Sequence, residues 1–112
     1  MRAGELRHRV DIENPHTTES ASGNVSEEWF NRASDVAASI RGLSVRERTA
    51  NGLTGGVATH EIRMRYMDRV TTESRVIFDG RTFEIESVMN VEERNIELVL
   101  QVKEATKAVN EP

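Results

Sequence analysis

The chain contains no cysteine, which removes disulfide bridges, thiolate metal centres and thiol nucleophiles together and leaves the redox compartment open. Aromatic residues make up 4% of it, too few for a platform that stacks the bases of single-stranded nucleic acid. Basic charge is scarce as well. Fifteen Lys and Arg against 19 Asp and Glu give a net charge of −4, the wrong sign for holding a polyanion by bulk electrostatics. No apolar run approaches the ~18 residues of a membrane span, and the opening MRAGELRHRV carries charge where a signal peptide needs its apolar stretch. The expectation is a soluble product made inside the cell, for which the Asn24-Val25-Ser26 sequon means little without a secretory route.

Catalytic equipment is equally thin. His60-Glu61 opens like a zinc-protease motif, but that motif needs a second histidine four residues on, along a helix, and position 64 is Met. His8 and His60 fall among apolar residues and read as core or interface histidines with satisfied ring nitrogens, whereas His16 reads as a surface residue. GLTGG, residues 52–56, lacks the Lys-Ser/Thr ending of a phosphate loop. No serine sits in a nucleophile elbow, and no base is identifiable beside one. Glu84 and Glu86 alternate along a strand among other charges, which is ordinary solvation. Arg41, Arg46 and Arg48 cluster but are interrupted by Glu47, so any approach of DNA there would be loose. No catalytic, cofactor or metal residue is assigned.

What the chain does have is alternation. In RHRVDIE, residues 7–13, His8, Val10 and Ile12 share one face, the pattern of a half-buried strand. NPHTTESASGN then reads as a long exposed loop reaching Ser26. Residues 26–42 leave two readings open. Trp29, Ala33, Val36 and Ile40 recur at helical spacing between a Ser26 cap and a Gly42 stop, yet Val36, Ala38 and Ile40 also alternate, as in a strand kinked near Asn31 to Asp35. Local pattern slightly favours the helix. In SVRERTANG, Ser44 and Glu47 have capping-box spacing and Asn51-Gly52 supply a left-handed stop, which predicts one short helix.

From residue 59 onward nearly everything reads as strand. THEIRMRY sets His60, Ile62, Met64 and Tyr66 against Glu61, Arg63 and Arg65. Asp79-Gly80, between SRVIF and RTFEIESVMN, is a type I′ hairpin signal, because both residues tolerate positive φ. Phe83, Ile85, Ser87 and Met89 should share one side; after the polar turn VEERN, so should Ile96, Leu98, Leu100 and Val102. Five or so antiparallel strands, each apolar on one face, must close on themselves to hide those faces. The fold class expected is mainly β: a small antiparallel β-barrel with one short helix in a long inter-strand connection. At 112 residues it forms a single domain, with residues 105–112 as a flexible tail.

AGELRHRVDIE, a Trp after a variable loop, VAASIRGLSVRE, THEIRMRY and VIFDGRTFEIESVMNVEERNIELVLQVKE, taken in that order, resemble the phage head-tail joining family, the head-closure or stopper proteins of long-tailed phages and prophages. The resemblance spans about residues 3–104 and is most specific in the last third; Ala37 departs from it, standing where a large aromatic, commonly Trp, is expected. It implies a β-barrel in which residues 28–42 form an irregular strand. It also implies a non-enzymatic virion protein of the neck, made in the bacterial host cytoplasm. Copies would assemble as a ring beneath the portal and adaptor proteins, meet a tail-completion or tail-terminator protein, and help retain the genome. Double-stranded DNA would pass through the channel without sequence-specific binding, and neither cofactor nor membrane would be involved.

On that resemblance, the excursion from Leu43 to Val57 is the candidate channel loop, with Ser44, Arg46, Glu47, Arg48, Gly52, Gly55 and Gly56 as its residues. The loop Asn14 to Ser26 and the tail after Glu104 are candidate partner contacts, represented by His16, Thr17, Glu19, Asn24 and Lys107. A tail-completion or other neck protein of similar small β fold is one alternative. A stand-alone ligand-binding barrel is another, and it would need a deep pocket ringed by convergent polar groups.

Overall fold

The computed structural model describes residues 6–44 and 58–105. Six strands, β1 (His8–Glu19), β2 (Val25–Gly42), β3 (His60–Arg65), β4 (Arg75–Phe78), β5 (Arg81–Asn90) and β6 (Glu97–Glu104), form a closed antiparallel barrel in the order β1-β2-β3-β6-β5-β4. Closure answers the requirement set by one-sided alternation. The inward residues, among them Val10, Ile12, Ile62, Met64, Phe83 and Leu100, lose all or nearly all contact with solvent, and no barrel strand is left with an open edge. The seam between β1 and β4 is short, from Asp11↔Ile77 to Glu13↔Arg75.

The hairpin between β4 and β5 turns at Asp79 and Gly80, whose φ angles of 52° and 76° are those its sequence requires. VEERN becomes a short 3-10 turn at Val91–Glu93. The predicted short helix of SVRERTANG lies, after Ser44, outside the described residues, as does the tail beyond Ala105. Ala105 itself is tied to the barrel, its N–H donating to the Thr82 carbonyl at 2.8 Å.

Several expectations need correction. Residues 14–26 are not a loop: β1 runs on to Glu19 and pairs with β2 from Val25, so that only the bend between Ser20 and Asn24 is free of the ladder. The cause is a two-stranded ribbon with both faces wet, which needs no apolar alternation and so shows none. For residues 26–42 the strand of the two open readings is the one observed, irregular as the resemblance implied for 28–42, and not the helix that local pattern slightly favours. Against β1 the strand carries extra residues, with register shifts between Val10 and Ile12 and between Ile12 and Glu13, and Asp35 takes φ 57°. That is the kink near Asn31 to Asp35, and the Asp35 N–H is satisfied by Asp11 Oδ1 at 3.0 Å.

Three further faces differ. A bulge at Glu86, between Ile85↔Val102 and Ser87↔Gln101, shifts the alternation of β5 by one residue. Val88 therefore packs on the core and Met89 is exposed. Ile96 and Tyr66 lie past the ends of β6 and β3, joined by a hydrogen bond from Tyr66 N–H to the Ile96 carbonyl, and both are exposed at the barrel rim. Glu61, on the polar face of its strand with Arg63 and Arg65, is nonetheless only 8% exposed because Arg41 and Arg63 close over it.

Candidate assembly surface

Beyond Glu13 and Asn31 the β1–β2 ribbon leaves the barrel and continues for about 20 Å as a two-stranded arm. Isolated ribbons of this kind are marginal in water, so its base has to be fixed by other contacts. Arg32 reaches across to the loop after β3, with Nη2 2.6 Å from Asp68 Oδ1 and Nε donating to the Asp68 carbonyl at 3.2 Å. Asn14 donates to the Arg69 carbonyl at 2.8 Å and accepts from Ser74 Oγ. Arg75 of β4 donates to Glu13 Oε1 at 2.7 Å while its guanidinium lies 3.9 Å from the centre of the Trp29 ring. Pro15 is accommodated because β1 has left β4 behind and is an edge strand there.

Past this base the arm buries nothing fully. His16 meets Phe30 edge-on at 5.1 Å, and Thr18 and Ser26 share a hydrogen bond of 2.8 Å across the ribbon. Phe30 and Val25 remain 51% and 66% exposed. Beneath the arm an open cleft of about 430 Å³ lies between Trp29 and the outer face of β4 and β5, where Glu73, Glu84 and Glu86 reach solvent. Arg75 is already occupied by Glu13, so the cleft's chemistry suits a cationic or neutral visitor. No nucleophile–base pair lines it.

The outer face of β1, β2 and β3 carries the opposite charge. Arg9 stands opposite Ala37, Ser39 opposite Arg63 and Arg41 opposite Glu61. Glu61 bonds both Arg41 at 3.2 Å and Arg63 at 3.0 Å, and Arg63 also reaches Glu97 at 3.3 Å. The hydrogen bond from Arg63 to Glu61 is the main reason its guanidinium holds its proton more tightly than usual. Arg65, exposed at the end of β3, extends the row.

Of the candidate partner contacts, His16, Thr17 and Glu19 fall on β1 within the arm and Asn24 at its tip, so the fold does bring them together. Lys107 lies outside the described residues. Of the candidate channel loop, Ser44 is exposed just beyond β2, and Arg46, Glu47, Arg48, Gly52, Gly55 and Gly56 lie outside the described residues. The stems of that loop are clamped: Leu43 N–H donates to the Thr59 carbonyl at 2.9 Å and Thr59 N–H to the Val102 carbonyl at 2.8 Å. Loop and arm thus leave opposite ends of the β1–β2 ribbon. Sequence reasoning did not single out Glu27, Glu28 and Phe30 on the arm or Arg9 and Arg65 on the outer face. The only signal for them was strand register, which is non-local.

The family model for phage head completion proteins matches residues 1–105. Head completion protein gp7 of Enterobacteria phage HK97 is 32% identical over 76 residues, covering 68% of this chain and 67% of that protein. A protein of Shigella flexneri 2a, known from its solution structure, superposes with a TM-score of 0.79 at 24% identity, over 96% of this chain and 99% of that one. A chain of the native gene transfer agent virion superposes with a TM-score of 0.59 at 20% identity, over 87% and 94%. At these identities the two solved structures speak for the fold alone.

Proposed function

The chain belongs to the phage head completion protein family, whose members are structural components of the virion, and from that premise we propose that it closes the DNA-filled head as a ring in the neck. Copies of it sit between the portal and adaptor proteins of the head and the tail-completion or tail-terminator protein, and help retain the genome. The observation that carries this reading is the family match over residues 1–105 of a chain whose fold is one closed barrel with a projecting arm. The barrel supplies a rigid tile, the arm a surface that intramolecular packing leaves exposed, and the clamped stems at Leu43 and Thr59 a fixed base for a loop that faces the channel. We propose that this loop acts as a gate, for which the glycines at 52, 55 and 56 supply backbone freedom in the sequence, and that mixed charge at Arg46, Glu47 and Arg48 limits its adhesion to phosphates.

The test is genetic and structural together. Particles made without this chain should package DNA, lose it, and fail to acquire tails; full heads that keep their genome and join tails normally would reject the role. Deleting residues 52–56 should leave the barrel folded and reduce DNA retention. Unchanged retention in assembled particles would reject the gating loop while sparing the connector role.

A further inference from the structure

The two ends of the β1–β2 ribbon carry opposite charge that is only partly answered within the described residues. From Val10 to Asn31 the sequence has no Lys or Arg. Glu19, Glu27 and Glu28 are exposed on the arm and have no ion pair among the described residues. At the other end Arg7, Arg9, Arg41, Arg63 and Arg65 are exposed on the outer face of β1, β2 and β3. Glu61 and Glu97 answer Arg41 and Arg63, whereas Arg9 and Arg65 have no ion pair among the described residues.

Shape follows the same division. Ala37 and Ser39 run down the middle of the arginine face, with Arg9 opposite Ala37 on one side and Arg63 opposite Ser39 on the other. Small side chains between arginines make a shallow trough two strand spacings wide, about 9.5 Å, which accepts the tip of a two-stranded ribbon. Glu19 and Arg9 are ten residues apart on one strand, a separation of about 30 Å. The base of the arm is braced by Arg32, Asn14 and Arg75. The complementary surfaces therefore cannot meet within one molecule.

We infer that the acidic arm of one copy docks on the arginine face of the next, a head-to-tail contact that rests on the ring reading above and gives its interface. Heterologous contacts of this kind close into rings when the rotation permits, and opposite charge fixes the register of the partners. Duplex DNA is the weaker occupant of the arginine face. DNA would leave Val25 and Phe30 on the arm uncovered, and the chain's net charge of −4 disfavours a polyanion as a whole.

Because the chain has no cysteine, a T17C/A37C variant carries one thiol on the arm and one in the trough. With a short bismaleimide, at high concentration and in assembled particles, it should give a ladder of products beyond the dimer, and either single variant no product larger than a dimer. E27K/E28K should cut the ladder about tenfold or more, and adding R9E/R65E to the same chain should restore most of it, which a misfolded variant would not do. Absence of a ladder in particles that contain several labelled copies overturns this contact and leaves the ring standing. A single copy per particle overturns both. Tight binding of a 20-base-pair duplex by the wild-type chain, lost on R9E/R65E, would assign the arginine face to DNA and overturn the inference as well.

Discussion

Barrel and arm are built from the same two strands and the same antiparallel ladder, yet they are held by different forces. Inside the barrel Val10, Ile12 and Ala38 give up at least 99% of their exposure, and the hydrophobic effect sets the register. Past Glu13 and Asn31 the ladder continues with both faces in water, and order comes from a few polar braces and one cation–π contact at the base. Backbone pairing alone does not hold such a ribbon, and folding does not call for Val25 and Phe30 at its surface. The barrel residues are explained by stability. For the arm residues stability gives no such account, and a partner is what we propose for them.

The sharpest way to break this contrast is to damage each region in turn. Phe83 is fully buried, with His60 edge-on at 5.1 Å, and Phe83→Ala should cost about 3–5 kcal/mol through lost transfer energy and a cavity, enough to unfold a small domain at moderate urea. Replacing residues 16–28 with an Asn-Gly turn should cost under about 1 kcal/mol in the same titration, because it removes exposed surface and leaves the braces intact. If the truncated chain proves as unstable as Phe83→Ala, the arm is part of the folding unit and the division fails.

The boundary comes next in size. Asp35 sits at φ 57° in the bulge where the strands leave the barrel, a conformation open to Asp and Gly but strained for a β-branched residue. Asp35→Val should cost about 1–2 kcal/mol and Asp35→Gly little, since the bond from the backbone N–H to Asp11 survives both. Equal losses would mean that the carboxylate matters more than the backbone. A smaller effect is expected at the base: Arg75→Ala removes the cation from Trp29 and the partner from Glu13, about 1 kcal/mol together at this exposure. Trp29 is the sole tryptophan, so its fluorescence should become more accessible to acrylamide while the barrel transition barely moves.

How much of this was legible in the sequence depends on burial. The alternation of β3 and the inward residues Phe83, Ile85, Leu98, Leu100 and Val102 could be read directly, because each faces a core, and Asp79-Gly80 identified its own turn. The arm looked like a loop for the same reason in reverse: with neither face buried, nothing repeats at period two. Polarity alone points to His16, Thr17, Glu19 and Asn24, which lie together as strand and tip rather than loop. Alternation places Met89 inward because a bulge at Glu86 leaves no mark in a hydropathy pattern. The burial of Glu61 needed Arg41 and Arg63 beside it, one of them on another strand, and such pairings are invisible until the register is known.

The smallest expected effect tests whether the barrel's closing contacts are electrostatic. Arg81, at the start of β5, donates to both carboxylate oxygens of Glu104, at the end of β6, each at 2.9 Å. The hydrogen bonds, and then the charge of that guanidinium, hold the Glu104 carboxyl below its ordinary range and Arg81 above its own. A carboxyl whose folded pKa lies below its unfolded value adds stability above the unfolded value, near 4.5, and loses it as pH falls through the folded one. The side chains are 40% and 34% exposed, so solvent screening keeps the contribution under about 1 kcal/mol. Glu104→Gln should therefore melt slightly below the wild type at pH 7, and the gap should narrow below pH 4.5 and shrink in 1 M salt. Trp29 fluorescence should not respond, because this latch belongs to the barrel. The Glu104 N–H donates to Thr59 Oγ1 at 2.8 Å in wild type and variant alike, so a gap that persists at pH 3 would mean that the Glu104 side chain acts through packing, and the barrel would then owe its closure to shape rather than to charge.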